Sequence, residues 1–385
     1  MPSISEMTPR ERMLATFAGQ PVDHFPVTAP YLMLLQSDHW VKITGQPPQT
    51  YYAWNLQEPE DHVREFERFH RLLPFDITQP NFYVDRRDVR RRKQIVPGED
   101  GHTWYEVDPL TGSRKLLVLN LHEKDQDSEW ERVVFSEKDA DEHISIQSGE
   151  EIFASGEMDY VSAYQKAFGR EHYVAGNLVN AFYNSSWSVG LKNRFLLVHD
   201  EPDLLHYVIE RYHQKNIEAA RAMKLAGTDM VFIDDATATK DMISVKMYRE
   251  FSLPYLKRLV EEIQNLGMKA VLIYFGGIAD RVEDILSAGA DGLLMETSMK
   301  GFTNDLDSIA ALVNNRTLLF GNLNPREDIE LKSDSELEAV MARQIAVGKK
   351  YGRFVVSTGS PLTPGTSLAR MQTYIEMSQR LSARE

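Results

Sequence analysis

The chain places its polar and ionisable side chains directly after short apolar runs. Asp234 and Asp235 close DMVFI, Tyr274 closes KAVLI ahead of Phe275 and Gly276, and Glu296 closes DGLLM. Asn322 follows TLLFG, and Ser357, Thr358 and Ser360 follow RFVV. Nearer the N-terminus, Asn177, Asn180 and Tyr183 follow HYVAG, Asp76 and Gln79 flank Ile77–Thr78, and Thr28 and Tyr31 follow HFPV. A carboxylate that leaves water must be paired, protonated or bound to a metal. Asp235, Glu296 and the phenol of Tyr274 are therefore the candidates for moving protons. Tyr31, Asn177, Asn180, Tyr183, Asp234, Asn322 and Ser360 are the candidates for holding a substrate. Each also has a structural reading. Asp, Asn, Ser and Thr after a strand cap the next helix, Glu296 suits a buried ion pair, and Tyr274 suits a core edge. Their recurrence at one kind of place is what points to a site.

Other chemistries lack their residues. There is no cysteine among the 385 residues, so no disulfide, thiolate metal site or cysteine nucleophile can form. The 11 histidines include no H-x-H or H-E-x-x-H pair, and no G-x-S-x-G, Walker or G-x-G-x-x-G motif occurs. His199, His206 and His213 recur every seven residues and read as one helix face. With 43 Lys+Arg against 57 Asp+Glu, the net charge of −14 disfavours nucleic acid and anionic membranes as partners. No apolar run is long enough to span a bilayer, and the start lacks a signal-peptide layout, so a cytoplasmic protein is expected.

The elements that must position these residues follow from periodicity. Residues 172–177, 229–234, 269–274, 291–296, 317–322 and 353–358 are short apolar runs, each followed by helix-length amphipathic sequence. Buried parallel strands with helical crossovers have this pattern. With 24–29 and 75–78 they make eight, which predicts an α/β fold of the (β/α)8 TIM-barrel type as one domain over 1–385, with a doubly wound sheet as the other option. Thr8-Pro9-Arg10-Glu11 predicts a capping box at a first helix. Residues 85–147 break the rhythm. They hold a basic run, Arg86–Lys93, read as a solvated face; an alternating stretch over 102–121 with the turn DPLTG, read as a β-hairpin; and very polar sequence beyond. This block is expected to be an insertion that caps the barrel.

Several segments resemble the uroporphyrinogen decarboxylase superfamily: TPRERMLATFAGQPVDHFPV at the start, AGTDMVFIDDATATKDMISVKMYREFSLPYLKRL in the centre, LLFGNLNP, and FVVSTGSPLTPGTSLARMQ near the end. The resemblance implies a barrel with a cavity at the C-terminal ends of its strands. True decarboxylases grip their polyanionic substrate with an Arg-Gln-Ala-Gly-Arg loop after the first strand. Here that stretch reads PVTAPYLMLL, and no arginine lies between Arg12 and Arg64. Their last-strand histidine is matched by Thr358. The corrinoid-dependent methyltransferases of the superfamily hold zinc with His-x-Cys and a later Cys, matched here by Tyr274-Phe275-Gly276 and Ser360.

The start and the ATATKDMIS and STGSPLTPGTS loops are similar to the methyltransferase side. The resemblance therefore implies an enzyme that moves methyl from a small methylated compound, such as a methoxy-aromatic, to a corrinoid carried by a partner protein. No zinc is expected, because the corrinoid is itself the nucleophile. An alkoxide or phenoxide leaves poorly unless it is protonated, and Tyr274, Asp235 or Glu296 would supply that proton. Two alternatives stay open: a lyase that decarboxylates a small substrate, and a non-catalytic binding protein of the same fold. A homodimer is compatible with the sequence.

Overall fold

The computed structural model describes residues 6–80, 84–117, 131–299 and 301–383. Eight parallel strands form one sheet: β1 (Val27–Thr28), β2 (Ile77–Thr78), β6 (Tyr173–Val179), β7 (Met230–Asp234), β8 (Lys269–Tyr274), β9 (Gly292–Met295), β10 (Leu318–Phe320) and β11 (Phe354–Ser357). Their order is β1-β11-β10-β9-β8-β7-β6-β2, with helices between consecutive strands. The seam between the end strands is bridged by Asp76. Its N–H donates to the Val27 carbonyl at 3.0 Å, and its carboxylate accepts from the Val27 N–H at 2.7 Å. This is a (β/α)8 barrel, and all eight expected strands are in its wall.

Strand alternation sorts the side chains into two cores. Ile77, Tyr173, Ala175, Met230, Phe232, Val271, Ile273, Leu294, Leu318, Phe320 and Val355 fill the barrel interior. Val174, Leu178, Val231, Ile233, Leu272, Tyr274, Leu293 and Met295 face the surrounding helices. The first helix, Pro9–Phe17, starts at the capping box of Thr8 and Glu11 and adds Met13 and Phe17 to the interior core. It closes the end from which the strands start. Arg10 pairs with Asp229 at 2.6 Å, and Arg12 with Asp23 at 2.7 Å and with Asp76.

A separate antiparallel sheet holds β3 (Gln94–Pro97), β4 (Trp104–Asp108) and β5 (Ser113–Leu117). The β4–β5 hairpin turns through DPLTG, with Gly112 at φ +70°; its expected continuation over 118–121 lies outside the described residues. The strand β3 has no counterpart in the periodicity. The basic run is only in part the solvated face its composition suggested: Arg86 and Arg91 are exposed. It forms the helix Arg87–Arg92, in which Arg90 is buried. Arg87 and Arg90 both meet Asp159, Arg91 meets Glu58, and Arg92 meets Asp108. Helix Glu137–His143 lies on the long helix Pro202–Leu225, where Tyr207 donates to Asp141 at 2.9 Å and Arg211 to the Ile144 carbonyl at 2.8 Å. Pro202 also starts a new helix after Leu191–Asp200, so His199 does not share a helix with His206 and His213. No helix among the described residues is long and apolar enough to cross a membrane.

Candidate active site

At the C-terminal strand ends the same alternation decides which polar residues face the barrel axis. Asp234 continues the inward row of Met230 and Phe232; Asn177 continues that of Tyr173 and Ala175. Glu296 is in step with inward Leu294 and accepts from the Ser360 hydroxyl at 3.2 Å. Tyr31 completes this group. It sits at φ +54°, in the left-handed region that a bulky side chain rarely enters. That conformation sends its ring across the mouth from β1, where it stacks on Phe275 at 5.7 Å and donates its hydroxyl to Asp234. Asn177 also reaches the Tyr31 hydroxyl, and the half-buried Tyr183 is within the influence of the Asp234 and Arg194 charges. The structure therefore brings together Tyr31, Asn177, Tyr183 and Asp234 on one side of the mouth, and Glu296 with Ser360 on another.

Burial raises Asp234 to about 6, against the hydrogen bonds from Tyr31 and the Ala236 N–H. Burial and the neighbouring carboxylate raise the Tyr31 phenol well above its ordinary range. The pair consists of a carboxyl that titrates near neutrality and a phenol that stays protonated. Such a pair can hold and deliver a proton at the mouth.

Three expected site residues face away from the axis. Tyr274 is fully buried, is turned to the helices, and shares a 2.8 Å hydrogen bond with the Tyr248 hydroxyl. It is corrected from catalytic acid to packing residue. In β8 the residues Val271 and Ile273 point inward, so Tyr274 must point outward, and Phe275 is the next inward aromatic. Gly276 marks a close approach of two loops. A Cβ there would meet Thr239 Oγ1 at 2.5 Å, so this glycine admits the loop after β7. Asp235 is likewise outward, fully buried, and accepts from Ser252 at 2.7 Å. Burial, opposed by the bonds from Ser252 and Asn180, raises it to about 7. Asn180 caps its own helix through the Ala181 N–H and donates to Ser252 at 2.8 Å. Both belong to the seam between sheet and helices, where Tyr248–Ser252 forms a π-helical turn. Asn322 is engaged as a brace. It donates to the Asn304 carbonyl at 3.0 Å and accepts from Gln344 at 3.2 Å.

The structure adds residues that no motif announced. Asn304 donates to the carbonyls of Gly276 and Glu296, both at 2.9 Å, and accepts from the Ile278 N–H at 3.1 Å, tying together the loops after β8 and β9. Arg194 and Thr237 lie buried beside Tyr183 and Asp235. Phe275 was legible from the parity of its strand; the other three come from helices and loops whose contacts no local pattern encodes. The thiolate zinc site implied by the family resemblance does not fit these residues. The inward positions ending β8 are Ile273 and Phe275, and the Ser360 hydroxyl is spent on Glu296. Among the described residues, no three His, Cys, Asp or Glu side chains group as metal ligands.

The chain is 26% identical over 194 residues to uroporphyrinogen decarboxylase from Coxiella burnetii, covering 48% of this chain and 50% of that one. The chain thus matches about half the length of that relative. It is 24% identical over 382 residues to the methylcobamide:CoM methyltransferase MtbA of Methanosarcina mazei, covering 96% and 97% of the two chains. The resemblance to the methyltransferase side runs nearly end to end. A solved structure titled methyltransferase from Methanosarcina mazei superimposes with a TM-score of 0.69 at 17% identity, covering 98% of this chain and 100% of that one, which supports the fold. The family model for uroporphyrinogen decarboxylase (URO-D) matches residues 119–381, from the end of the antiparallel sheet to the last helix, and so this chain belongs to the uroporphyrinogen decarboxylase family.

Proposed function

We propose that the protein is a methyltransferase that passes a methyl group from a small methylated substrate, methoxy-aromatics among them, to a corrinoid carried by a partner protein. The observation that carries this reading is the Tyr31–Asp234 pair, held at the mouth by a backbone conformation that costs about 1–3 kcal/mol for such a residue. The near full-length similarity to a methylcobamide-dependent relative supports the reaction class. The corrinoid supplies the nucleophile that takes the methyl group. This chain's residues act on the other fragment. As the methyl–oxygen bond breaks, the oxygen keeps the electron pair, and Asp234, raised to about 6 and therefore protonated in part of the molecules just below neutral pH, gives it a proton. Tyr31 holds that carboxyl in place through its hydroxyl. Phe275, Tyr31 and Tyr183 offer ring faces to an aromatic or alkyl body. Glu296 with Ser360 offers a second polar contact across the mouth.

The same reading makes 1–385 one cytoplasmic barrel domain, makes residues 85–147 an insertion beside it, and dispenses with thiolate-bound zinc. Purified chain dialysed against chelator should then hold far less than one zinc per chain. The function itself is tested by incubating the chain with reduced cobalamin and a panel of methoxy-aromatics and methylamines. Substrate-dependent methylation of the corrinoid, read from its absorbance, is expected. Release of carbon dioxide from a small acid without methyl transfer would replace the reading with a lyase. Neither activity from any panel member would favour a binding protein.

A further inference from the structure

Arg194 is the charged group near the mouth that its surroundings satisfy least. It sits in helix Leu191–Asp200 and is fully buried. Nη1 donates to the Phe182 carbonyl at 2.8 Å and to Thr237 Oγ1 at 2.9 Å. The guanidinium carbon lies 4.2 and 4.7 Å from the ring centroids of Phe182 and Phe195. Nε and Nη2 meet no acceptor among the described residues. Burial lowers Arg194 to about 9, and neighbouring Asp235 and Tyr183 offset this only in part. A buried cation without a hydrogen-bonded anion is costly, and proteins keep such costs where function uses them.

The geometry of the free atoms is selective. Nε and Nη2 share one edge of the guanidinium, whose two N–H bonds run parallel at the spacing of carboxylate oxygens. Thr237 fixes the opposite side of the fork, so the free edge is held in place. Thr237 belongs to the loop after β7, the strand that ends in Asp234. The free edge therefore belongs to the same end of the barrel as the Tyr31–Asp234 pair.

We propose that the Nε–Nη2 edge of Arg194 binds a carboxylate of the ligand, and that the substrates are small methylated acids. The carboxylate site follows from Arg194 itself; the methyl group it would position rests on the function proposed above. A purely structural role would instead have Arg194 compensate Asp235, whose Oδ1 also lacks a partner among the described residues. Removing the cation would then strongly destabilise the chain.

Calorimetric titration of the full chain with acetate, benzoate, 4-methoxybenzoate and the uncharged 4-methoxybenzamide tests this. The methoxy acid should bind at least about tenfold tighter than the amide, since a buried charge-assisted pair is at stake. Arg194→Met should abolish that preference and leave the ligand-free melting temperature within a few degrees. Arg194→Lys, which keeps the charge but not the fork, should restore part of it. Should Arg194→Met not fold, the Arg194 Nε–H resonance of the unaltered chain, assigned through Arg194→Lys, must still shift with the acid and not with the amide. The proposal is overturned if no carboxylate binds in the millimolar range, if acid and amide bind alike, or if Arg194→Met keeps the preference. Tight binding of the acid without transfer of its methyl group keeps the carboxylate site and removes the methyl-transfer reading.

Discussion

At the end where the barrel strands start, every prominent charge has a partner. Arg10 meets Asp229, Arg12 meets Asp23 and Asp76, and Lys269 meets Asp291 at 2.7 Å, while Met13 and Phe17 seal the interior. The end where the strands finish is built differently. It holds a tyrosine in a left-handed conformation, two buried aspartates raised toward neutrality, and a buried arginine with an empty edge. One barrel thus carries an end made for stability and an end that gives stability up. In parallel α/β barrels, chemistry sits at the second kind of end because its loops vary without disturbing the wall.

The contrast is most sharply tested by Asp234→Asn. The variant should lower kcat by roughly 10²–10⁴-fold, the range for a positioned proton donor, with an unchanged or higher midpoint of urea unfolding. A loss below about tenfold would take the proton source away from the mouth. The mirror experiment is Arg12→Met, which strands Asp76 and Asp23 without their cation. Urea unfolding should show a loss of about 3–5 kcal/mol, while the folded fraction keeps its kcat. If the mouth variant lost as much stability, the two ends would not differ in kind.

The pH dependence should set Asp234 and Asp235 against Asp23, while Asp76 beside it is itself pushed up by burial. Asp234 and Asp235 are raised to about 6 and about 7, so from about pH 4 to 7 these two carboxyls hold more protons in the folded chain than in the unfolded one. Their effect on stability is absent at low pH and grows more unfavourable as pH rises through that window. Asp23 runs the other way. Burial pushes it up, but hydrogen bonds from Arg12 and the N–H groups of Met7 and His24 hold it well below the usual range. Its contribution is present above about pH 4 and is lost as pH falls toward its folded value. The double variant Asp234→Asn/Asp235→Asn should therefore gain about 4–5 kcal/mol at pH 7 relative to pH 4.5, measured against the unaltered chain by urea unfolding at both pH values. An equal effect at both would show that neither aspartate is raised.

The smallest expected effect belongs to Tyr274→Phe. The variant removes one partner of the buried pair with Tyr248, so stability should fall by about 1–2 kcal/mol. Steady-state kcat should stay within about threefold, against the hundredfold or more expected of a proton donor. A larger drop in kcat would restore Tyr274 to the chemistry.

Reading residues in sequence found the right strand ends but not the right faces. Asp234 and Asp235 are neighbours of one type, and the pattern DMVFIDD does not say which one turns inward. Parity from Met230 and Phe232 answers it, once the wall is known to have an interior. The same parity exchanges Tyr274 for Phe275. Glu296 was legible because an acidic residue after GLLM has few other uses, and its Ser360 partner lies on another strand's loop. Arg194 carried no signal, since an arginine on an amphipathic helix normally reaches solvent.

By itself, the sequence determined the eight-strand rhythm, the first-helix cap, the lack of any thiolate and the ends where polar groups gather. These depend on side-chain type and on spacing within a few residues, which local physics sets. The tertiary structure alone decided the seam at Asp76, the reach of Tyr31 across the mouth to Asp234, the burial of Arg90 and the empty edge of Arg194. Each of these depends on groups tens to hundreds of residues apart, whose distance is fixed only when the barrel closes and removes them from water.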